Sequence, residues 1–230
     1  MYEKREVKTH IVKTNVYSFM RSICYTREKC MREKGRMLEG KLYIAQDEEL
    51  ANMNLEARKL VDMFNATHYD DFDGRQKILK KLFAKTGASI NINKPFFCDY
   101  GSNIYIGENF YANYDCILLD VNKIIIGNNV MLGPRVSLFT AGHPIDKDVR
   151  NQQLEYGKEI IIGNDVWIGG QVVINPGVTI GSNVVIGSGS IVTHDIPDNV
   201  VAAGNPCRVI RKIDGQDKVY WEKLRDEYFQ

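Results

Sequence analysis

The sequence predicts an all-β core in the form of a left-handed parallel β-helix of hexapeptide repeats, together with a small N-terminal helical segment. The first observation is that aliphatic residues recur every six positions in the second half of the chain. These positions are Ile162, Ile168, Ile174, Ile180, Ile186 and Val192. The second observation is that a period of six fits neither an amphipathic helix nor a half-buried strand, whose periods are about 3.6 and two residues. We therefore expect one aliphatic side chain of each hexapeptide to point into the coil.

The same register begins earlier in the chain and is interrupted once. Its upstream positions are Ile106, Ile126, Leu132 and Leu138. Residues 139–158 are polar and lack the pattern, although the register resumes at Ile162 after a multiple of six, so they are predicted to form an excursion loop. Stacked coils bury a continuous aliphatic column that no single repeat could bury alone. The coil is therefore expected to stabilise the molecule, which leaves the loop free for chemistry.

Small residues are expected at the corners of the coil. Gly163 and Gly181 are predicted there because glycine accepts a positive φ without steric cost. The outer faces of the coil are expected to carry further aliphatic side chains, such as Val172, Val173, Val184 and Val185. Association of subunits would cover this apolar surface.

Helical spacing precedes the coil and could also follow it. Apolar residues in the range 47–65 recur at helical spacing, and Asp47 is placed to cap the start of that helix. A second helix is predicted over residues 73–86, with Gly87 as its stop. Residues 216–230 fit either a terminal helix or a frayed tail.

The chain thus divides into four parts: a basic N-terminal extension (1–30), a helical segment (31–87), the β-helix domain (88–213) and a C-terminal tail (214–230). Residues 1–36 hold ten Lys or Arg against four Glu. A solvated basic arm is favoured over an organellar presequence, which would contain fewer acidic residues. The pattern does not indicate a function for the extension.

Composition argues against two function classes. A formal net charge of +1 over 230 residues gives no sign of a dedicated nucleic-acid surface. No apolar stretch approaches the roughly 20 residues of a membrane span. The cysteines are odd in number and contain no CxxC pair, which favours reduced thiols in a cytoplasmic protein. They are Cys24, Cys30, Cys98, Cys116 and Cys207.

His143 is the strongest candidate for chemistry, because it lies where the polar excursion leaves the rigid coil. It follows Gly142 and precedes Pro144, which stiffens the backbone beyond it. A histidine has an unperturbed pKa of about 6.5, so a neutral imidazole can accept a proton at physiological pH. His143 is therefore a candidate proton acceptor, and the alternative is a structural histidine with its hydrogen bonds satisfied at the base of the loop.

Several segments with recognisable motifs lie between residues 31 and 213. They are residues 37–43, 64–65, 97–101, 109–113, 140–146, 166–170, 174–181 and 203–206. In these segments the chain resembles the sugar O-acetyltransferases of the maltose and galactoside group, within the hexapeptide-repeat acyltransferases. Asp99 matches the maltose-like pattern, whereas the galactoside enzymes have serine there, so the resemblance is closest to maltose O-acetyltransferase.

The resemblance implies a mechanism. His143 matches the histidine that takes a proton from the acceptor hydroxyl as this oxygen attacks the thioester of acetyl-CoA. The transfer would be direct, which agrees with the lack of a recognisable cysteine or serine nucleophile motif. The backbone N–H of Gly170 would stabilise the tetrahedral oxyanion. Relatives often have serine at this position, so only the backbone donor remains here.

The resemblance also implies two binding sites. The acceptor site would comprise Asp47, Asp99, Tyr111, Asn113, Asp120 and Glu155. Asp47 could instead be only a helix cap, and Asp120 could only close a coil corner. Coenzyme A would contact Asn113, Trp167, Gly170, Ser188, Thr193, His194, Arg208 and Arg211. His194 departs from the lysine often found there, and the two arginines could simply be solvated.

Members of this family are trimers with sites between subunits, so the resemblance implies a homotrimer in which His143 and loop residues such as Glu155 could come from different subunits. No metal is expected. Zinc-dependent relatives with this fold need three converging histidines, and only His143 and His194 lie in the β-helix domain. Two alternatives stay open: an acetyltransferase for a non-sugar or xenobiotic hydroxyl, and a non-catalytic scaffold.

Overall fold

The computed structural model describes residues 32–230. The predicted basic extension, residues 1–30, lies outside these residues, as do Cys24 and Cys30.

Within residues 32–87, the structure contains three helices and one short strand. They are α1 (Glu33–Leu38), β1 (Tyr43–Ile44), α2 (Glu48–Asn65) and α3 (Phe72–Leu82). The Asp47 carboxylate caps α2 by accepting hydrogen bonds from the backbone N–H groups of Glu49 and Leu50 at 3.0 and 3.3 Å. This confirms the helix and the cap that the sequence predicts.

Helix α3 ends earlier than predicted. Its last residue is Leu82, because Phe83 adopts an extended conformation with φ −88° and ψ 148°. The Phe83 ring packs edge to face against Phe96, with ring centroids 5.7 Å apart. Burial of this aromatic ring in the core, rather than Gly87, therefore accounts for the end of the helix.

The remaining elements alternate between short strands and corners. Before the excursion, the strands are β2 (Ile90–Ile92), β3 (Phe96–Cys98), β4 (Ile104–Ile106), β5 (Phe110–Ala112), β6 (Cys116–Leu119), β7 (Ile124–Ile126), β8 (Met131–Leu132) and β9 (Ser137–Phe139). The excursion contains β10 (Ala141–Gly142), α4 (Lys147–Arg150) and β11 (Leu154–Gly157). The chain ends with β12 (Ile160–Ile162), β13 (Val166–Ile168), β14 (Val173–Ile174), β15 (Thr179–Ile180), β16 (Val184–Ile186), β17 (Ile191–Val192), β18 (Val200–Gly204), β19 (Cys207–Lys212) and α5 (Gly215–Tyr228).

Consecutive coil strands belong to three different sheets, which form the three faces of a prism. The sheet orders are β4-β7-β12-β15, β2-β5-β8-β13-β16-β18-β19 and β3-β6-β9-β14-β17. All pairs in them are parallel except the terminal β18–β19 pair. This topology confirms the predicted parallel β-helix.

The interior of the coil holds more side chains than the period of six predicts. The six repeat positions from Ile162 to Val192 are each at most 1% exposed. The residue two places earlier is also buried, so Val172 and Val184 lie inside and their predicted place on the outer face is wrong. Residues two apart in a strand share a face, which explains the second inward position. Val173 and Val185 are half-buried, at the intervening positions.

The corner glycines are needed for space rather than for a positive φ. A Cβ atom on Gly163 would lie 2.6 Å from Ser182 Oγ and 2.8 Å from the carbonyl carbon of Gly181. The positive φ angles of this corner belong instead to residues such as Asp165 and Asn183, at 59° and 53°. The expected role of Gly163 and Gly181 in providing a positive φ is therefore wrong.

The excursion and the tail both have regular structure. Strands β1, β11 and β10 form an antiparallel sheet, with Tyr43 opposite Glu155 and Gly142 opposite Tyr156. The tail is helical over α5, the first of the two predicted alternatives. The Asp214 carboxylate caps this helix, in which no residue is buried.

Candidate active site

The candidate site residues lie along two edges of the prism. We call the corner that joins the seven-stranded sheet to the five-stranded sheet the amide edge, and it contains Asn113 and Gly170. The corner that joins the five-stranded sheet to the four-stranded sheet is called the carboxylate edge, and it contains Asp99 and Asp120. Strand β6 separates Asn113 from Asp120 and alone spans about 13 Å.

His143 and Glu155 lie on one hairpin of the same chain. His143 directly follows β10, in which Gly142 is paired with Tyr156 of β11. Extending this antiparallel register by one residue brings His143 opposite Glu155. Within one chain, His143 and Glu155 therefore lie on the same hairpin.

The N-terminal strand β1 completes this arrangement from the other side. Tyr43 is opposite Glu155, and its hydroxyl donates a hydrogen bond to Glu155 Oε2 at 3.0 Å. Tyr43 is 1% exposed, whereas His143 is exposed to solvent. His143 therefore faces the solvent, whereas the buried Tyr43 hydroxyl fixes one oxygen of the Glu155 carboxylate.

Asp120 supports the carboxylate edge from the interior. Its carboxylate is fully buried and accepts hydrogen bonds from the backbone N–H groups of Asp99, Tyr100 and Asn103 at 3.0, 2.8 and 3.2 Å. Burial raises the pKa of the Asp120 carboxyl to about 7, although the backbone N–H groups of Tyr100 and Asn103 act in the opposite direction. This geometry matches the coil-corner alternative, because the side chain holds the turn that carries Asp99.

The groups around Asp99 form an electronegative cluster. Burial raises the pKa of Asp99; nearby Arg58 opposes this shift, and the Glu155 carboxylate adds to it. Burial, followed by the charges of Asp99 and Glu155, raises the pKa of Tyr100 to about 12. Burial and Glu155 likewise raise the pKa of Tyr43, so both phenols stay protonated at neutral pH and can act as donors.

Asp47 lies near this cluster but its carboxylate is engaged. The charge of Asp47 contributes to the raised pKa of Tyr100, and its Oδ1 atom caps α2. Its position therefore agrees with the helix-cap alternative.

The amide edge gathers the other candidates for the acceptor and the oxyanion. The Tyr111 hydroxyl accepts a hydrogen bond from Asn93 Nδ2 at 2.9 Å, and Asn113 Oδ1 accepts one from the backbone N–H of Tyr114 at 2.8 Å. Gly170 lies at the same corner, two coils further along. Within residues 32–230 its backbone N–H makes no hydrogen bond to the main chain, so this donor is available.

The candidates for coenzyme A follow the C-terminal coils. Trp167 is 52% exposed on the outer face, between Met131 and Val185 on the neighbouring strands. Ser188 is exposed at the amide edge, whereas Thr193 and His194 lie at the carboxylate edge, where Thr193 Oγ1 is 2.8 Å from His194 Nδ1.

The two arginines on β19 differ in their partners. Arg208 is exposed, and its Nη1 donates to the carbonyl of Cys207 at 2.8 Å. Arg211 forms two hydrogen bonds of 2.7 Å with the carboxylate of Asp217. Arg208 therefore has more donors left for a phosphate than Arg211.

Glu155 lies on the same hairpin as His143, and its charge acts on Asp99 in the neighbouring turn. Tyr111, Asn113 and Gly170 lie away from this edge. Sequence reasoning did not identify Tyr43 as part of the site. Nor did it identify Asn122, which is buried and whose Nδ2 donates to the carbonyls of Met37, Leu38 and Gly157. A tyrosine within the motif at residues 37–43 was the available signal for Tyr43.

No group of three or more His, Cys, Asp or Glu side chains among residues 32–230 could hold a metal ion. In the same part of the chain, no helix is both long and apolar enough to cross a bilayer. Cys98, Cys116 and Cys207 are free and buried.

Two family descriptions match this chain. Residues 36–87 match the maltose acetyltransferase hexapeptide capping motif, and residues 159–194 match the bacterial transferase hexapeptide of six repeats. The galactoside O-acetyltransferase of Escherichia coli (strain K12) is 47% identical over 188 residues, which cover 82% of this chain and 93% of that protein. The chain belongs to the galactoside and maltose O-acetyltransferase family.

Solved structures agree with this assignment. A maltose O-acetyltransferase from Clostridium difficile 630 is 56% identical, with a TM-score of 0.80 over 81% of this chain and all of the other. A galactoside acetyltransferase in complex with coenzyme A is 47% identical, with a TM-score of 0.78 over 82% of this chain and 94% of the other. These matches confirm the expected resemblance. The protein is an acyltransferase of this family.

Proposed function

We propose that this protein transfers an acetyl group from acetyl-CoA to a hydroxyl of a maltose-like or glucose-like sugar. The observation that carries this proposal is the β10–β11 hairpin. Extension of its register by one residue places His143 opposite Glu155, and the charge of Glu155 acts on Asp99 in the neighbouring turn. A base and hydrogen-bond acceptors at one rigid edge suit a polyhydroxyl acceptor. The names of the maltose and galactoside relatives support the same substrate class.

In the proposed mechanism, neutral His143 takes the proton of the acceptor hydroxyl as its oxygen attacks the thioester carbon. The new C–O bond forms, and the carbonyl electrons move onto the oxygen to give a tetrahedral oxyanion. The backbone N–H of Gly170 stabilises this charge. The intermediate then collapses, the C–S bond breaks, and the coenzyme A thiolate leaves and takes up the proton from the imidazolium. No acyl-enzyme is formed.

The acceptor binds at the carboxylate edge through Asp99 and Glu155. Asp120 does not bind the acceptor directly, because its oxygens accept hydrogen bonds from three backbone N–H groups. These bonds hold the turn that carries Asp99. Asp47 adds negative charge near Tyr100 while it caps its helix. Tyr111 and Asn113 contact the acceptor from the amide edge.

Coenzyme A lies along the C-terminal coils near Trp167, Gly170 and Ser188, and it also contacts Asn113, Thr193 and His194. Arg208 contacts its phosphates, because a guanidinium can donate two parallel hydrogen bonds to such a group. Arg211 would contact a phosphate in the same way once the phosphate replaces the Asp217 carboxylate as its partner. The relative with bound coenzyme A supports this assignment.

The active form is a homotrimer in which the amide edge of one subunit faces the carboxylate edge of the next. The separation of Asn113 and Gly170 from His143 in one chain supports this arrangement. So does Ile145, which is 95% exposed two residues after His143. An exposed aliphatic side chain beside a catalytic base is covered if a second subunit closes the site.

The location proposed is the cytoplasm, since the buried free cysteines suit a reducing compartment. No nucleic acid or membrane partner is part of the proposal.

The proposal is tested by thiol release from acetyl-CoA with a panel of acceptors: glucose, maltose, a β-galactoside, serine and chloramphenicol. Release that depends on a sugar, with an acetylated sugar in the product mass spectrum, is the expected result. Faster release with chloramphenicol or serine would support the alternative of a non-sugar acceptor. If acetyl-CoA does not bind in calorimetry, the proposal fails and the scaffold alternative replaces it.

A further inference from the structure

Tyr43 has a buried hydroxyl that the proposed transfer does not use. The ring is 1% exposed, and its hydroxyl donates to Glu155 Oε2 at 3.0 Å. Phenylalanine would fill the same space in the core. Unlike a phenylalanine ring, a buried phenol needs a hydrogen-bond partner for its hydroxyl. The choice of tyrosine therefore points to the carboxylate that it contacts.

Tyr43 and Glu155 are neighbours across the three-stranded sheet, and extension of the β10–β11 register by one residue places His143 in the same row. Tyr43 is directly opposite Glu155 on the neighbouring strand. On the other side, the pairing of Gly142 with Tyr156 extends to bring His143 opposite Glu155. Residues directly opposite each other project to the same face, with Cβ atoms about 4.5–5.5 Å apart. Glu155 thus lies between the hydroxyl donor of Tyr43 and the proposed base.

We propose that Tyr43 is a positioning residue for the acceptor. By occupying Glu155 Oε2, it directs the remaining oxygen, Oε1, toward His143. There Oε1 accepts a hydrogen bond from a second hydroxyl of the acceptor, distinct from the one that His143 deprotonates. The acceptor class is therefore a polyol in which a second hydroxyl lies near the reacting one. This inference rests on the proposed function and deepens it.

Two further contacts favour a fixed Glu155. Gly142 leaves no room for a side chain, because a Cβ atom there would lie 2.6 Å from the Tyr156 ring. The backbone of β11 is also held by Asn122, whose Nδ2 donates to the carbonyl of Gly157 at 3.1 Å. The strand that carries Glu155 is therefore fixed from both sides, and the Tyr43 hydroxyl fixes its side chain.

The test is Tyr43→Phe, which removes one hydroxyl and keeps the ring. We expect the KM for the sugar to rise about tenfold, as for loss of a hydrogen bond to a charged group, while the KM for acetyl-CoA stays unchanged. The variant should also discriminate less between the sugar and the monodeoxy analogue that lacks this second hydroxyl. Tyr105→Phe, on the outer face of the four-stranded sheet, is the matched control and should behave as wild type.

A double-mutant cycle separates positioning from a general loss of stability. In a Glu155→Ala background, Tyr43→Phe should change the acceptor KM no further, because Tyr43 acts through Glu155. The inference is overturned if the two effects multiply, if Tyr43→Phe leaves the acceptor KM unchanged, or if the wild type uses every monodeoxy analogue as well as the parent sugar. A wild type that acetylates no hydroxyl acceptor would refute the proposed function together with this inference.

Discussion

The Oδ1 atom of Asp120 accepts a hydrogen bond from the backbone N–H of Tyr100 at 2.8 Å, in a position where the carboxylate has no solvent contact. The same oxygen accepts from the backbone of Asp99, and the other accepts from Asn103. A single buried side chain thus determines the path of the turn that carries the proposed acceptor ligand Asp99. Its protonation is therefore linked to the stability of the fold.

We predict a specific pH dependence for this group. The pKa of Asp120 is raised by burial from 3.8 to about 7, so the folded state holds this proton more tightly than the unfolded state. Its contribution to the unfolding free energy is full below about pH 4 and falls by about 1.4 kcal/mol per pH unit until about pH 7. Asp120→Asn removes this dependence.

Denaturant unfolding of the wild type and Asp120→Asn at pH 5 and pH 7, at equal protein concentration, checks the prediction. Between the two pH values, the wild type should lose stability relative to the variant. Parallel changes in both proteins would show that Asp120 does not titrate in this range.

A methyl group at a coil corner should be costly. Gly163→Ala places a Cβ atom 2.6 Å from Ser182 Oγ and 2.8 Å from backbone of the next coil, so the corner must shift. We expect a loss of about 1–3 kcal/mol, as for other overpacked sites, measured by denaturant unfolding. The matched control is Gly215→Ala, where nothing lies within 4 Å of the added atom and stability should be retained. Equal stability of the two variants would contradict the close-approach explanation.

The base of the excursion depends on Asn122. Asn122→Ala leaves the carbonyls of Met37, Leu38 and Gly157 without this buried donor, at a cost of about 1–3 kcal/mol. We expect a lower melting temperature and faster limited proteolysis near residue 38. Asn52→Ala, an exposed change within α2, should alter neither. Wild-type resistance to proteolysis in Asn122→Ala would argue against this role.

The two arginines on β19 should contribute unequally to coenzyme A binding. Arg208→Ala should weaken binding more than Arg211→Ala, because the Arg211 guanidinium already pairs with Asp217 through two hydrogen bonds. Calorimetry with coenzyme A at low and high salt measures the difference, and the loss should shrink as salt screens the phosphate contact. Arg225→Ala, in the terminal helix, should bind as the wild type does. A larger effect at Arg211 would show that its pairing with Asp217 is exchanged without cost.

The period of six was sufficient to predict the β-helix and its core. An aliphatic side chain every sixth residue can be buried in one column only by coils of this kind, and Ile162 to Val192 confirm it. The inward position of Val172 and Val184 was missed because valine occurs on both faces of a strand. Neighbouring residues of an extended segment face opposite sides. Val172 and Val173 can therefore be distinguished only when it is known which of them points inward.

The candidate site was less predictable, because it depends on contacts between distant parts of the chain. Tyr43 and Glu155 are 112 residues apart, and no local spacing relates them. The burial of Asp120 likewise depends on the turn at 99–103, some twenty residues earlier. The resemblance identified Glu155 and Asp120 together, whereas the structure separates a carboxylate beside His143 from one that supports the backbone.

His143 is the proposed base for direct transfer of the acetyl group. The most direct measurement compares acceptor-dependent thiol release by the wild type and His143→Ala at saturating acetyl-CoA, with the coenzyme A affinity of each measured by calorimetry. We expect a fall in rate of roughly 10²–10⁴ with the affinity unchanged, as for loss of a general base. A variant that keeps the wild-type rate would contradict it.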